Sequence, residues 1–179
     1  MAEILDMGKK RRELAAKRGF QKWSHRFSEL FNEETLLQDL SDTTLERLIQ
    51  PGEESSNAIY ELIMGVQGLG PGPRFHFLEP SHKMALMDIT LFLLDQFRFE
   101  AMKRLGWVSE SPMAKVPLVD LVSQFEDRFS AERHQTPSLL PSHPRYEEYM
   151  TTFEGDRAAF IRKLIPEVLQ CFHERVQKK

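Results

Sequence analysis

Cysteine is almost missing from this chain: Cys171 stands alone among 179 residues. No internal disulfide and no cysteine-built zinc site can form. Covalent haem attachment is excluded too, because no Cys-x-x-Cys-His occurs. Long apolar runs are also lacking. The longest lies between Met84 and Phe97, and Asp88 and Asp95 interrupt it. It is too short and too charged to span a bilayer, so no transmembrane segment is expected. The opening MAEILDMGKKRRELAAKRG lacks the continuous apolar stretch of a secretory leader. The cytoplasm is therefore the expected location. Strand signals are absent as well. No alternation is sustained and no Asn-Gly or Asp-Gly hairpin appears. Nothing repeats at a fixed period.

Catalytic signatures are equally scarce. There is no Gly-x-Ser-x-Gly elbow. Gly68-x-Gly70-x-Gly72 has the wrong spacing for a dinucleotide fingerprint and follows a helical pattern rather than a strand. No P-loop Lys-Ser/Thr pair and no His-Glu-x-x-His is present. His173 and Glu174 are adjacent, so on a helix they point roughly 100° apart. The motifs therefore assign no catalytic residue, no metal and no cofactor, and they leave catalysis undecided. Cys171 lies among Leu169, Gln170 and Phe172 in a helical pattern and reads as a small buried hydrophobe.

What is present is material for a core. The chain is 41% apolar and 28% charged, with 13 Phe. Its length suits one domain, here taken as 1–179, able to hide about 70% of its unfolded surface. Helical periodicity runs throughout. Phe20, Trp23, Phe27, Leu30 and Phe31 form one stripe, and the first eight residues before it are expected to fray. Leu36, Leu37 and Leu40 suggest a short helix. Ser41 or Thr43 caps the next, with Thr43 and Glu46 spaced as a capping box, and Pro51-Gly52 stops it. Ser55 or Ser56 caps a helix carrying Ile59, Leu62, Ile63, Val66 and Leu69, which Gly68, Gly70 and Pro71 end. Residues 68–77 hold too much Gly and Pro for a helix. From about 82 to 105, with Ser81 as cap, apolar residues surround a helix axis on nearly every side. Pro117 opens a stripe from Leu118 to Phe129. Residues 134–144 read as an extended loop. Tyr146 to Phe153 mark a short helix, and the last one spans Phe160 to Val176 with a kink or break at Pro166. The expected fold is all-α: a single-domain irregular bundle of six or seven helices around a central buried helix at about 82–105.

Charge is sorted along the chain. The net is −3, but residues 1–26 carry +5 and residues 27–61 carry −8, while the rest balances at fifteen of each sign. The basic run centres on Lys9, Lys10, Arg11, Arg12, Lys17 and Arg18. Such a run suits phosphates, acidic partners or an anionic surface, or the acidic stretch behind it. With the aromatic Trp23 it marks an interaction surface, since Trp, Phe and Arg favour interface centres. A second candidate site lies around the Gly/Pro-rich loop 68–83. Arg74, His76, Ser81, His82 and Lys83 gather there ahead of a helix N-terminus, which favours anions. Asp88 and Asp95, seven apart, share one side of the helix that follows. They would floor a polar pocket with that loop as lid, because a buried carboxylate needs a partner.

The leading functional expectation is a protein-interaction or adaptor module, with a protein partner or self-association through its aromatic and charged surfaces. The first alternative is a protein or enzyme that takes a small anionic ligand at 68–83. The second is contact between the basic N-terminal helix and nucleic acid or a membrane surface. Nucleic acid is the weaker of these, because a pI near 6.1 is far from the usual basic footprint.

Overall fold

Phe20 and Trp23 anchor the first helix to the rest of the protein. The computed structural model describes the backbone of residues 2–179 and the side chains from residue 7 onward. The fraying expected for the first eight residues falls, up to residue 6, on side chains outside those described. Helix α1 runs Ala2–Phe27, and its first enclosed described side chain is Ala16. Every side chain from residue 9 to 14 is exposed. Phe20 and Trp23 are buried, and the Trp23 indole N–H donates to the Ala58 carbonyl at 2.8 Å. Phe27 and Phe31 meet Trp23 edge-on, at 5.3 and 5.6 Å between centroids. The stripe ends sooner than its spacing implied. Ser28 takes φ +53°, the helix stops, and Leu30 is 86% exposed.

Residues 36–40 form a 3-10 turn (Leu37–Asp39) rather than a helix. The turn sits beside 114–118, where Gln38 N–H donates to the Ala114 carbonyl at 2.9 Å. Helix α2 (Asp42–Ile49) is capped by Ser41, whose hydroxyl accepts from Thr44 N–H at 3.1 Å, so Thr43 is not the cap. The Glu29 carboxylate locks this cap by accepting from Ser41 N–H, Ser41 Oγ and Thr44 Oγ1. Helix α3 (Glu53–Gln67) starts from Gly52. Ser55 lies inside it and donates instead to the Leu48 carbonyl. Gly68, at φ +69°, closes α3 in the left-handed conformation that favours glycine.

The Gly/Pro segment is not wholly irregular. Gly72–Phe77 winds into a 3-10 turn packed on α3, with Phe75 stacked on Tyr60 at 3.9 Å. Helix α4 (Pro80–Arg104) starts ahead of Ser81, with Glu79 at the cap position. Its 25 residues span about 37 Å at 1.5 Å each. The second half is mostly enclosed from Phe92 to Met102, with Leu94, Asp95 and Arg98 half-buried. The first half keeps a wet side at Met84, Asp88 and Leu91. The helix packs on α2, on α3 and on the C-terminal helix. Helix α5 (Leu118–Ser123) continues into a π turn, Phe125–Phe129, that brings Phe125 within 5.2 Å of Phe92. Helix α6 is Tyr146–Thr151. The final stripe divides into α7 (Arg157–Lys163) and α8 (Ile165–Gln177), with Pro166 in the first turn of α8, where its missing N–H costs nothing. The fold is all-α. Eight α-helices are present among the described residues, and the split at Pro166 takes the number past the expected six or seven. One buried cluster links residues from Phe20 to Phe172. Among the described residues no helix is long and apolar enough to cross a membrane.

Candidate functional site

Helices α1 and α3 cross where neither has a side chain. A Cβ on Gly65 would stand 2.8 Å from Gly19 Cα, closer than real Cβ atoms come. The backbones therefore touch, and a depression opens beside the contact. It is a groove of about 930 Å³. Gly19, Gly65, Gly68 and Gly70 contribute backbone to its floor, with Ala15 and Pro71 beside them. Arg18, Lys22, His25 and Arg26 line it from α1, and Glu61 lines it from α3. Arg26 donates to Glu61 at 2.6 Å, while Arg18 and Lys22 are exposed and form no ion pair among the described residues. Positions 11, 15, 18, 22 and 26 share one helix face. Exposed Arg11 therefore extends the cationic lining toward the N-terminus, and the face from Arg11 to Arg26 is about 22 Å long.

Of the residues singled out for an interaction surface, Lys9, Lys10, Arg11, Arg12, Lys17 and Arg18 are exposed on α1. Trp23 is the exception and is not part of that surface. It is fully enclosed and belongs to the core, because its indole serves the α1–α3 junction. Apart from Glu61, which takes Arg26, the acidic stretch pairs with cations outside the first 26 residues. Asp42 receives Arg104, Arg175 and Lys179, and Glu54 receives Arg47, while Glu46 shares a hydrogen bond with the His173 ring. Burial raises the Asp42 carboxyl, but hydrogen bonds from Lys179, Arg104 and Arg175 outweigh it and bring it down to about 2.

Of the loop candidates, the structure brings Lys83 against His76. Arg74, His76, Ser81 and His82 are exposed. Lys83 turns back to donate to the His76 carbonyl at 3.0 Å and lies over the Phe75 ring. Arg74 folds over Gly70. Glu79 occupies the position where α4 would otherwise greet an anion. Asp88 and Asp95 do share a cavity, but with different partners than the loop. This second cavity, about 360 Å³, is lined by Asp88, Leu91, Phe92, Leu94, Asp95 and Arg98 of α4, with Arg133, His134 and Arg162 opposite. Asp88 pairs with Arg133 at 3.3 Å and Asp95 with Arg162 at 3.2 Å. Sequence reading finds the two acids, and Arg98 three residues after Asp95, but not Arg133 and Arg162. Their partners lie 45 and 67 positions away, and no local pattern points there.

Cys171 is half-buried rather than enclosed. Burial pushes its thiol up, and Glu174 and Glu167 push it further. A raised thiol pKa means less thiolate and lower reactivity. Among the described residues no group of three or more His, Cys, Asp or Glu stands together as a metal site. No protein-family model, no curated protein and no solved structure matches this chain.

Proposed function

We propose that this protein is an interaction module whose α1–α3 groove receives an acidic segment of a protein partner. The groove itself carries the proposal. It is floored by glycine backbone and lined by Arg18, Lys22, His25 and Arg26 against one carboxylate, Glu61. The glycines let α1 and α3 close onto each other and leave the depression beside their contact. The surplus positive charge selects for acid in that partner. Exposed Arg11 continues the same face beyond the core, so an amphipathic segment lying along the groove meets charge from Arg11 to Arg26. Met7 and Leu14, seven apart and 59% and 55% exposed, add apolar contact beside that charge. A cytoplasmic setting is part of this proposal, in keeping with a lone, unpaired cysteine.

Peptide display on the intact protein tests this reading. Selected peptides should combine Asp or Glu with apolar residues. They should compete with one another and bind the double variant R18E/K22E at least about tenfold more weakly. Both positions are exposed, so the variant should keep its fold and its melting temperature. Peptides that bind the variant as well as the parent would overturn the reading. So would displacement of the peptides by a DNA duplex at equal concentration, which would point to nucleic acid instead.

A further inference from the structure

We infer that the cavity between α4, the Arg133–His134 turn and α7 is a binding site for a small organic anion with an apolar body. It lies apart from the α1–α3 groove and shares no lining residue with it.

The charge balance argues first. Three guanidiniums (Arg98, Arg133, Arg162) face two carboxylates (Asp88, Asp95), a surplus of one positive charge. The pairing leaves Arg98 over. Arg133 gives NH1 to Asp88 and Nε to His134 Nε2, and Arg162 gives NH2 to Asp95. Arg98 Nε is enclosed and has no hydrogen-bond partner. A partly buried guanidinium stays charged at neutral pH and is costly without a close counter-charge. The charge of Asp95 helps Arg98 but does not offset its burial.

The donors argue second. A carboxylate or phosphate takes two parallel N–H bonds from a guanidinium. Arg133 and Arg162 each reach their acids through single contacts longer than 3.0 Å, so each keeps donors for a third party. His134 Nε2 accepts from Arg133, so its Nδ1 carries the proton in the neutral ring and can donate.

The walls argue third. Leu91, Phe92 and Leu94 complete the lining, and Leu91 is 56% exposed beside the arginines. A volume of about 360 Å³ lies at the small end of ligand sites. It suits one anionic head and a ring-sized apolar body.

Phenyl phosphate, phenylacetate and inorganic phosphate are the probes, added to the intact protein and read by thermal shift and amide NMR. At least one aromatic anion should give a saturable rise in melting temperature, with NMR changes confined to α4, residues 133–134 and α7. The two aromatic probes tell a phosphate head from a carboxylate head. Inorganic phosphate should bind more weakly, for want of the apolar body. Arg98→Gln should weaken binding about tenfold. Asp95→Asn should strengthen it several-fold by releasing Arg162, a gain that a misfolded variant cannot mimic. R18E/K22E should respond like the parent, which keeps this test separate from the groove. No saturable response to either aromatic probe up to about 10 mM, a weakness beyond specific small-ligand binding, would overturn the inference. Equal binding by the parent, Arg98→Gln and Asp95→Asn would overturn it too.

Discussion

His143 shows how much a single position can depend on pH. It is buried, and its Nδ1 accepts the Arg145 backbone N–H at 3.1 Å. Trp107 packs edge-on at 4.8 Å. Burial lowers the imidazole pKa from 6.5, Glu167 opposes the shift and Arg145 adds to it. In the unfolded chain the ring takes its proton near 6.5, and in the folded protein only below that. Stability is therefore full above 6.5 and falls as the pH drops through the folded value. Protonation would also remove the acceptor that holds Arg145. Urea denaturation across pH 7.5 to 5 should show this loss. His143→Gln, which keeps an acceptor and does not titrate, should show a flatter curve. Identical slopes for the two proteins would remove His143 as the cause. Nothing in the sequence announces this residue. Its loop was legible from three prolines, but its burial depends on Trp107, 36 positions away.

At the scale of elements, the α1–α3 crossing decides most. Gly65→Ala should destabilise by about 1–3 kcal/mol, the usual cost of overpacking, although alanine itself favours a helix by up to about 1 kcal/mol. Gly19→Ala should cost less, since its Cβ would stand 3.3 Å from Gly65 Cα rather than 2.8 Å. Thermal melts of the two variants check the order, and a Gly65→Ala protein as stable as the parent would contradict the contact. Helices with strong periodicity were legible beforehand: Trp23 and Phe20 in α1, Leu62 and Ile63 in α3, Phe92 and Phe97 in α4. Starts were read less well. Ser55, Ser56 and Ser81 have the chemistry of caps, yet α3 and α4 begin ahead of them, at Gly52 and Glu79. Tertiary packing supplied the reason at Ser55, whose hydroxyl serves the end of α2. The groove has no signature in either helix alone, because it needs Gly19 of α1 and Gly65 of α3 together. Glycine spacing within one segment cannot reveal a glycine opposite.

Across the whole molecule, Asp42 joins distant parts of the chain. Its carboxylate receives Arg104 from α4, Arg175 from α8 and Lys179 beyond it. Arg104 also reaches Glu100 at 2.9 Å, and Arg175 donates to the Arg104 carbonyl. A carboxyl held at about 2 instead of 3.8 contributes about 2 kcal/mol at neutral pH. That share is present above 3.8 and is lost as the pH falls toward 2. Asp42→Asn should lose it at pH 7 and should resist acid more evenly. Denaturant titrations of both proteins at pH 7 and pH 2.5 check this, and a variant as stable as the parent at pH 7 would refute it. The opposed charge blocks were legible as a pattern, and their partners were not. The acidic stretch holds α4 and α8 in place, which leaves most of the α1 cations facing outward.

The two tryptophans lie in separate neighbourhoods, and that gives the protein two built-in optical reporters. Trp23 is enclosed at the α1–α3 junction, while Trp107 lies half-buried against His143. Indole emission depends on enclosure and is quenched by a protonated imidazole nearby. Light from Trp107 will therefore dim as His143 gains its proton, while Trp23 holds a blue-shifted signal until α1 comes away. With one indole replaced by phenylalanine at a time, unlabelled protein can report whether the loop beside α6 opens before the first helix detaches.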